Sequence, residues 1–176
     1  MLIKTVFAGF GGQGVLSMGL NLAEAAMMEG KNVTFLPSYG VEVRGGTANC
    51  TVAVSDEEIA SPVASAPDFV VVMNQPSLVR FQNQVQTGGI LFYNSSLVDP
   101  ETPRGDIELV GVMASAIAEE MGSPRSANMV MLGAFARKTN LVSFDTVAEV
   151  LKSILKEKTK LIAVNKKALT AGYNLF

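Results

Sequence analysis

The start of the chain constrains its fold more than any other stretch. Residues 2–8, LIKTVFA, are mostly apolar or β-branched and run directly into Gly9-Phe10-Gly11-Gly12-Gln13-Gly14. A short run of this kind ending in glycine reads as a buried strand. From Gly14 to Glu29 the period changes. Val15, Met18, Leu22 and Ala25 or Ala26 recur at steps of three and four, and only Glu24 and Glu29 carry charge. That is a well-covered helix, which Gly30 is placed to close. A strand that turns through glycines straight into a helix is a Rossmann-like start, and GFGGQG satisfies the G-x-G-x-x-G spacing of dinucleotide-binding turns.

The rest of the chain continues the alternation. NVTFLP (32–37) reads as a second strand and SYGVEVRGG (38–46) as a loop. TANCTVAVS (47–55) places Cys50, Val52 and Val54 on one face and Asn49, Thr51 and Ala53 on the other, as in a half-buried strand. No helix separates the second strand from the third, so the two suit an antiparallel pair. DFVVVM (68–73) is a continuous apolar strand of the type buried on both faces. QPSLVRFQNQ suggests a short helix with proline in its first turn, GGILFYN (88–94) a strand, and DIELVGV (106–112) an edge strand. Helical segments fall around 114–121, 126–138, 145–156 and 160–171. With no repeat and no linker, residues 1–176 read as one domain: a three-layer α/β/α fold with a mixed, mostly parallel sheet.

The glycine turn alone does not make a nucleotide site. A dinucleotide fold needs an Asp or Glu at the end of the second strand to take the ribose hydroxyls. Here that strand ends FLPSYG, and Glu42 and Arg44 come later, inside the loop. The turn can still present backbone N–H groups to an anion at a helix N-terminus, or its glycines can simply let helix and strand pack closely. Gln13 carries an amide able to orient a ligand or to lock the turn to the second loop. That loop brings Tyr39, Glu42 and Arg44 among glycines; Arg44 suits a carboxylate or phosphate, and a Glu42–Arg44 pair is the structural alternative.

Composition narrows the chemistry. The chain has no histidine and one cysteine, Cys50. The commonest general base and metal ligand are therefore missing, and neither a disulfide nor a self-contained iron–sulfur or cysteine-rich zinc site can form within it. Cys50, in an alternating run, reads as a buried, inert thiol. Apolar residues make up 48% and charged residues 17%, below the quarter or so usual in soluble domains, so either the core is large or a partner covers apolar surface. A net charge of −2 gives no reason to expect nucleic acid or an anionic membrane, and the lysines between Lys152 and Lys167 read as a solvated face. No signal-type start and no apolar run long enough to span a membrane is seen, which points to the cytoplasm.

GFGGQGVLSMG followed by PSYGVEVRGGTANCTVAVSDEEIASP resembles the gamma subunit of the 2-oxoacid:ferredoxin oxidoreductases, and the likeness continues through DFVVVMNQPSLVRF, GGILFYNSS, NMVMLGAF and NKKALTAGY. Within that family the RGGTANC loop is most similar to the 2-oxoglutarate type; the pyruvate and branched-chain types are the alternatives. The resemblance implies a multi-subunit enzyme that decarboxylates a 2-oxoacid on thiamine diphosphate, passes electrons through iron–sulfur clusters to ferredoxin and transfers the acyl group to coenzyme A. It implies that alpha and beta subunits hold the thiamine diphosphate and Mg²⁺, and that the clusters lie on beta or on a small ferredoxin-like subunit. No cofactor is then bound by this chain alone, and no catalytic or metal-ligating residue is assigned to it. Gly9, Gly11, Gly12, Gln13, Gly14, Tyr39, Arg44, Gly45 and Gly46 are the candidate site residues, as loops that either lie along coenzyme A or dock onto a neighbouring subunit. A homodimer of the isolated chain, and a stand-alone nucleotide-binding module, remain as alternatives.

Overall fold

The computed structural model describes residues 1–39, 46–100, 104–156 and 158–176. The opening pattern folds as its periodicity predicts. Strand β1 (Leu2–Phe10) buries Val6, Phe7 and Ala8, and helix α1 (Val15–Met28) buries Val15, Met18 and Leu22. Then follow β2 (Asn32–Tyr39), β3 (Thr47–Ser55), β4 (Phe69–Val72), α2 (Gln75–Phe81), β5 (Ile90–Asn94) and β6 (Glu108–Val112). Four helices complete the chain: α3 (Ala114–Glu120), α4 (Ala127–Thr139), α5 (Phe144–Leu155) and α6 (Thr159–Tyr173).

The six strands form one sheet in the order β2-β3-β1-β4-β5-β6. β1, β4, β5 and β6 run parallel, while β3 is antiparallel to both β1 and β2. The mixed, mostly parallel sheet expected from the sequence is therefore present, with β6 at one edge. One boundary differs. The second strand does not end at Pro37 but continues through Ser38 and Tyr39, which pair with Asn49 and Ala48 of β3. Proline reads as a strand end because it has no N–H to give the ladder. β2 is an edge strand, where that loss is tolerated.

Alternation along the strands divides the core in two. Phe7, Val71 and Phe92 face α1 and the C-terminal helices, whereas Val6, Ala8, Val70, Val72 and Leu91 face Leu78 and Phe81 of α2. Three layers result, the α2 side being the thinner. Phe135 of α4 seats the helical layer on the sheet, its ring centroid 5.6, 5.7 and 5.3 Å from those of Phe7, Phe69 and Phe92. Tilted and edge-on contacts at such spacing add to the area that the rings bury. The lysines from Lys152 to Lys167 are exposed, as a solvated face requires.

α6 packs across α4 with almost no side chain between them. A Cβ built on Gly133 would strike the Leu169 carbonyl oxygen, and one on Gly172 the Val130 carbonyl oxygen. Neither obstacle is a flexible side-chain end, so the backbones themselves would have to part. Gly172→Ala is expected to destabilise the fold by about 3 kcal/mol in denaturant-unfolding measurements. Gly105→Ala, where a Cβ meets nothing, should stay within about 0.5 kcal/mol of the parent.

Candidate functional site

α1 leaves β1 on one face of the sheet and α2 leaves the neighbouring β4 on the other, so the carboxyl ends of β1 and β4 form a topological switch point, where open α/β sheets hold ligands. The side chain of Gln13 closes it. Its Oε1 accepts the Phe10 backbone N–H at 2.8 Å and the Asn74 amide N–H at 3.1 Å, and its Nε2 donates to the Met73 carbonyl at 3.1 Å. Asn74, almost fully buried, uses its Oδ1 to accept from the Ser77 N–H at 2.9 Å and so caps α2. Among the described residues Gln13 thus ties the first turn to β4 and α2.

The glycines divide by what surrounds them. Gly9 leaves room for the Gln13 amide and Val15. Gly14, at φ 73°, begins α1 with no side-chain cap, and Asn128 of α4 fills the space beside it, its Nδ2 donating to the Gly14 carbonyl at 3.4 Å. Gly12, at φ 98°, has no close neighbour among the described residues. Gly11 reaches the second loop: its N–H donates to the Gly46 carbonyl at 2.9 Å. The two loops do meet, but because β3, not β2, lies beside β1. Tyr39 ends β2, while Glu42, Arg44 and Gly45 lie outside the described residues.

That placement of β3 departs from the dinucleotide folds in strand order as well as in sequence. The ribose-binding acid of such folds stands at the end of a strand adjacent to β1, and here the antiparallel β3 intervenes. Cys50 is fully buried against α1, its Sγ 3.6 Å from the Val15 carbonyl oxygen, and burial pushes its thiol up to about 12. It is in no position to ligate a cluster.

Beside the Gln13 clamp lies a cavity of about 240 Å³ lined by Gly12, Gln13, Met73, Ser115, Arg125 and Ala127. Ser115 is held from behind by Asn94, which is wholly buried. The Asn94 Nδ2 donates to Ser115 Oγ at 2.8 Å, and its Oδ1 accepts the Ser115 N–H at 3.3 Å. Sequence reasoning missed Asn74, Asn94, Ser115 and Arg125. Asn74 did carry a signal, an asparagine just before Gln75-Pro76, the arrangement of a helix N-cap. Ser115 and Arg125 come beside Gln13, with Asn94 behind Ser115, only through the parallel order of β4, β5 and β6.

The strand, glycine turn and helix, clamped at a switch point but without a dinucleotide register, define a Rossmann-like α/β domain. The chain matches the family described as pyruvate ferredoxin/flavodoxin oxidoreductase over residues 4–175, and it belongs to that family. It is 41% identical to the ketoisovalerate oxidoreductase subunit VorA of Methanothermobacter marburgensis, over 97% of this chain and 36% of that protein. It is 35% identical to the 2-oxoglutarate synthase subunit KorC of Methanocaldococcus jannaschii, over 90% of this chain and 88% of that one. The chain thus spans about a third of the VorA relatives that it matches. Among solved structures, a 2-oxoglutarate:ferredoxin oxidoreductase from Magnetococcus marinus, with 2-oxoglutarate, coenzyme A and succinyl-CoA bound, superposes with a TM-score of 0.92 at 27% identity, over 99% of this chain and 31% of that one. The gamma subunit of a keto/oxoacid ferredoxin oxidoreductase from Geobacter sulfurreducens gives 0.83 at 28% identity, over 98% and 96%.

The burial of Cys50 has a direct consequence. At pH 8 a thiol held near 12 supplies almost no thiolate. The folded protein should therefore resist a thiol-specific reagent for hours and take up one equivalent once unfolded in denaturant. Rapid labelling of the native protein would show that the site opens.

Proposed function

We propose that this chain is the gamma-type component of a 2-oxoacid:ferredoxin oxidoreductase of the cytoplasm, acting with alpha and beta subunits and a ferredoxin-like subunit and inactive by itself. The match from residue 4 to residue 175 carries this reading. In it, thiamine diphosphate with Mg²⁺ supplies the decarboxylation chemistry and iron–sulfur clusters the electron path, both on partner subunits. The buried Cys50 supports that division. So does the apolar groove between α1 and β2, where Leu20, Met27 and Met28 remain 38, 62 and 58% exposed. Apolar surface of this extent suits a chain that works within an assembly.

In this reading the chain's part is to hold the Gly9–Gly14 turn, tied through Gly11 to Gly46, at the carboxyl edge of the sheet. The proposed role of Arg44, Gly45 and Gly46 is to lie along coenzyme A, whose phosphates a guanidinium and free backbone N–H groups can bind. The coenzyme A in the Magnetococcus marinus structure supports it. The RGGTANC loop favours 2-oxoglutarate as the acid oxidised. The higher identity to the ketoisovalerate relatives favours a branched-chain 2-oxoacid as the second reading.

Co-expression with thiamine-binding alpha and beta subunits should yield a complex that reduces ferredoxin with coenzyme A and a 2-oxoacid. Rates with 2-oxoglutarate, 2-oxoisovalerate and pyruvate decide among the substrates. Full activity without this chain would contradict the proposal. In the intact complex Arg44→Ala should raise the KM for coenzyme A by roughly ten-fold or more, the loss of one charge-assisted hydrogen bond. An unchanged KM would make these loops docking elements instead.

A further inference from the structure

We propose that the cavity between Gly12, Gln13, Ser115 and Arg125 is a binding site for an oxyanion, a phosphate or carboxylate group, with Ser115 and Arg125 as its ligands. The polar atoms at the cavity differ in how much hydrogen-bonding capacity they still hold. Gln13 Oε1 already accepts from Phe10 and Asn74, and the Met73 carbonyl already accepts from Gln13 Nε2. That leaves the second Nε2 proton of Gln13. The amide orientations are fixed by the network: a backbone N–H must meet the oxygen of Gln13, and the backbone N–H groups of Ser96 and Ser115 must meet the oxygen of Asn94. Asn94 therefore presents its N–H₂ to Ser115. A hydroxyl that is accepting in this way retains its own proton to donate. Ser115 Oγ has no other partner among the described residues.

Arg125 completes the set. It stands exposed in the turn between α3 and α4, with neither an ion pair nor a hydrogen bond to any described residue. Among the described residues the cavity lining contains no carboxylate. A lining that offers an amide N–H, a hydroxyl proton and a guanidinium fork has donors left over and few free acceptors. A group with several acceptor oxygens and negative charge satisfies it, and the guanidinium matches phosphate or carboxylate two bonds at a time. At about 240 Å³ the cavity falls below the 300–1,000 Å³ of pockets that enclose whole ligands. It holds one charged group of a larger molecule, or a small anion. Asn94 touches no ligand in this scheme; it is a positioning residue that turns the Ser115 hydroxyl toward the cavity.

Calorimetric titration of the whole chain with inorganic pyrophosphate, and separately with 2-oxoglutarate, tests the site. Saturable binding of one or both is expected. Arg125→Gln should weaken it by roughly ten-fold or more and Ser115→Ala by several-fold, the loss of hydrogen bonds to a charged group. Arg125 is exposed and unpartnered, so its variant should melt with the parent protein. Arg125→Lys, which keeps the charge but not the fork, should restore part of the affinity. Preference for pyrophosphate marks a phosphate site and preference for 2-oxoglutarate a carboxylate site. In the assembled enzyme the matching readout is a raised KM for coenzyme A or for the 2-oxoacid. Absence of saturable binding to either probe, or binding that both variants leave unchanged, overturns the proposal. The titration uses this chain alone, so its failure would leave the gamma-type reading intact, and failure of the subunits to assemble would leave the site intact.

Discussion

The Gln13 side-chain amide holds the carboxyl edge of this domain together. β1 and β4 are parallel neighbours whose following helices leave on opposite faces, so the backbone at their ends diverges and loses its ladder partners. Buried backbone groups must be paired or they cost free energy, about 1–3 kcal/mol each. Gln13 satisfies the Phe10 N–H and the Met73 carbonyl at once and orients Asn74, which in turn caps α2. The shape of the glycine turn follows. With Phe10 and Gln13 fixed, Gly12 is left without a close neighbour among the described residues and Gly11 is left to reach Gly46.

The same arrangement explains how a dinucleotide fingerprint occurs here without the strand order of a dinucleotide fold. The glycines serve protein contacts: Gly9 admits Gln13, and Gly14 admits Asn128 of α4. The antiparallel β3 occupies the place next to β1 where a ribose-binding strand would lie. What survives is the switch-point crevice itself, which the proposed function takes as the working face.

Much of the fold was legible in the sequence because its signals are local. Period-2 runs such as residues 47–55, period-3.6 runs such as 15–28 and the Ser123-Pro124 break each depend on near neighbours. β2 was misjudged by two residues because the tolerance of Pro37 depends on being at the edge, a property of the whole sheet. The site was legible in part. Gln13 stood out as an amide in a glycine turn, but its partners lie about sixty residues away, at Met73 and Asn74, and periodicity carries no such information. Asn94, Ser115 and Arg125 come from three separate elements that the parallel order of β4, β5 and β6 brings to one edge. Individually they are an asparagine ending a strand, a serine opening a helix and a surface arginine.

The central claim is that this chain works through the carboxyl edge of its sheet. Hydrogen–deuterium exchange on the assembled oxidoreductase, with and without coenzyme A and the 2-oxoacid, tests it most directly. Protection should appear in peptides covering residues 9–14, 39–47 and 113–126, on assembly or on ligand addition. Unchanged exchange there, with protection confined to the opposite ends of the strands or to α6, would contradict the account.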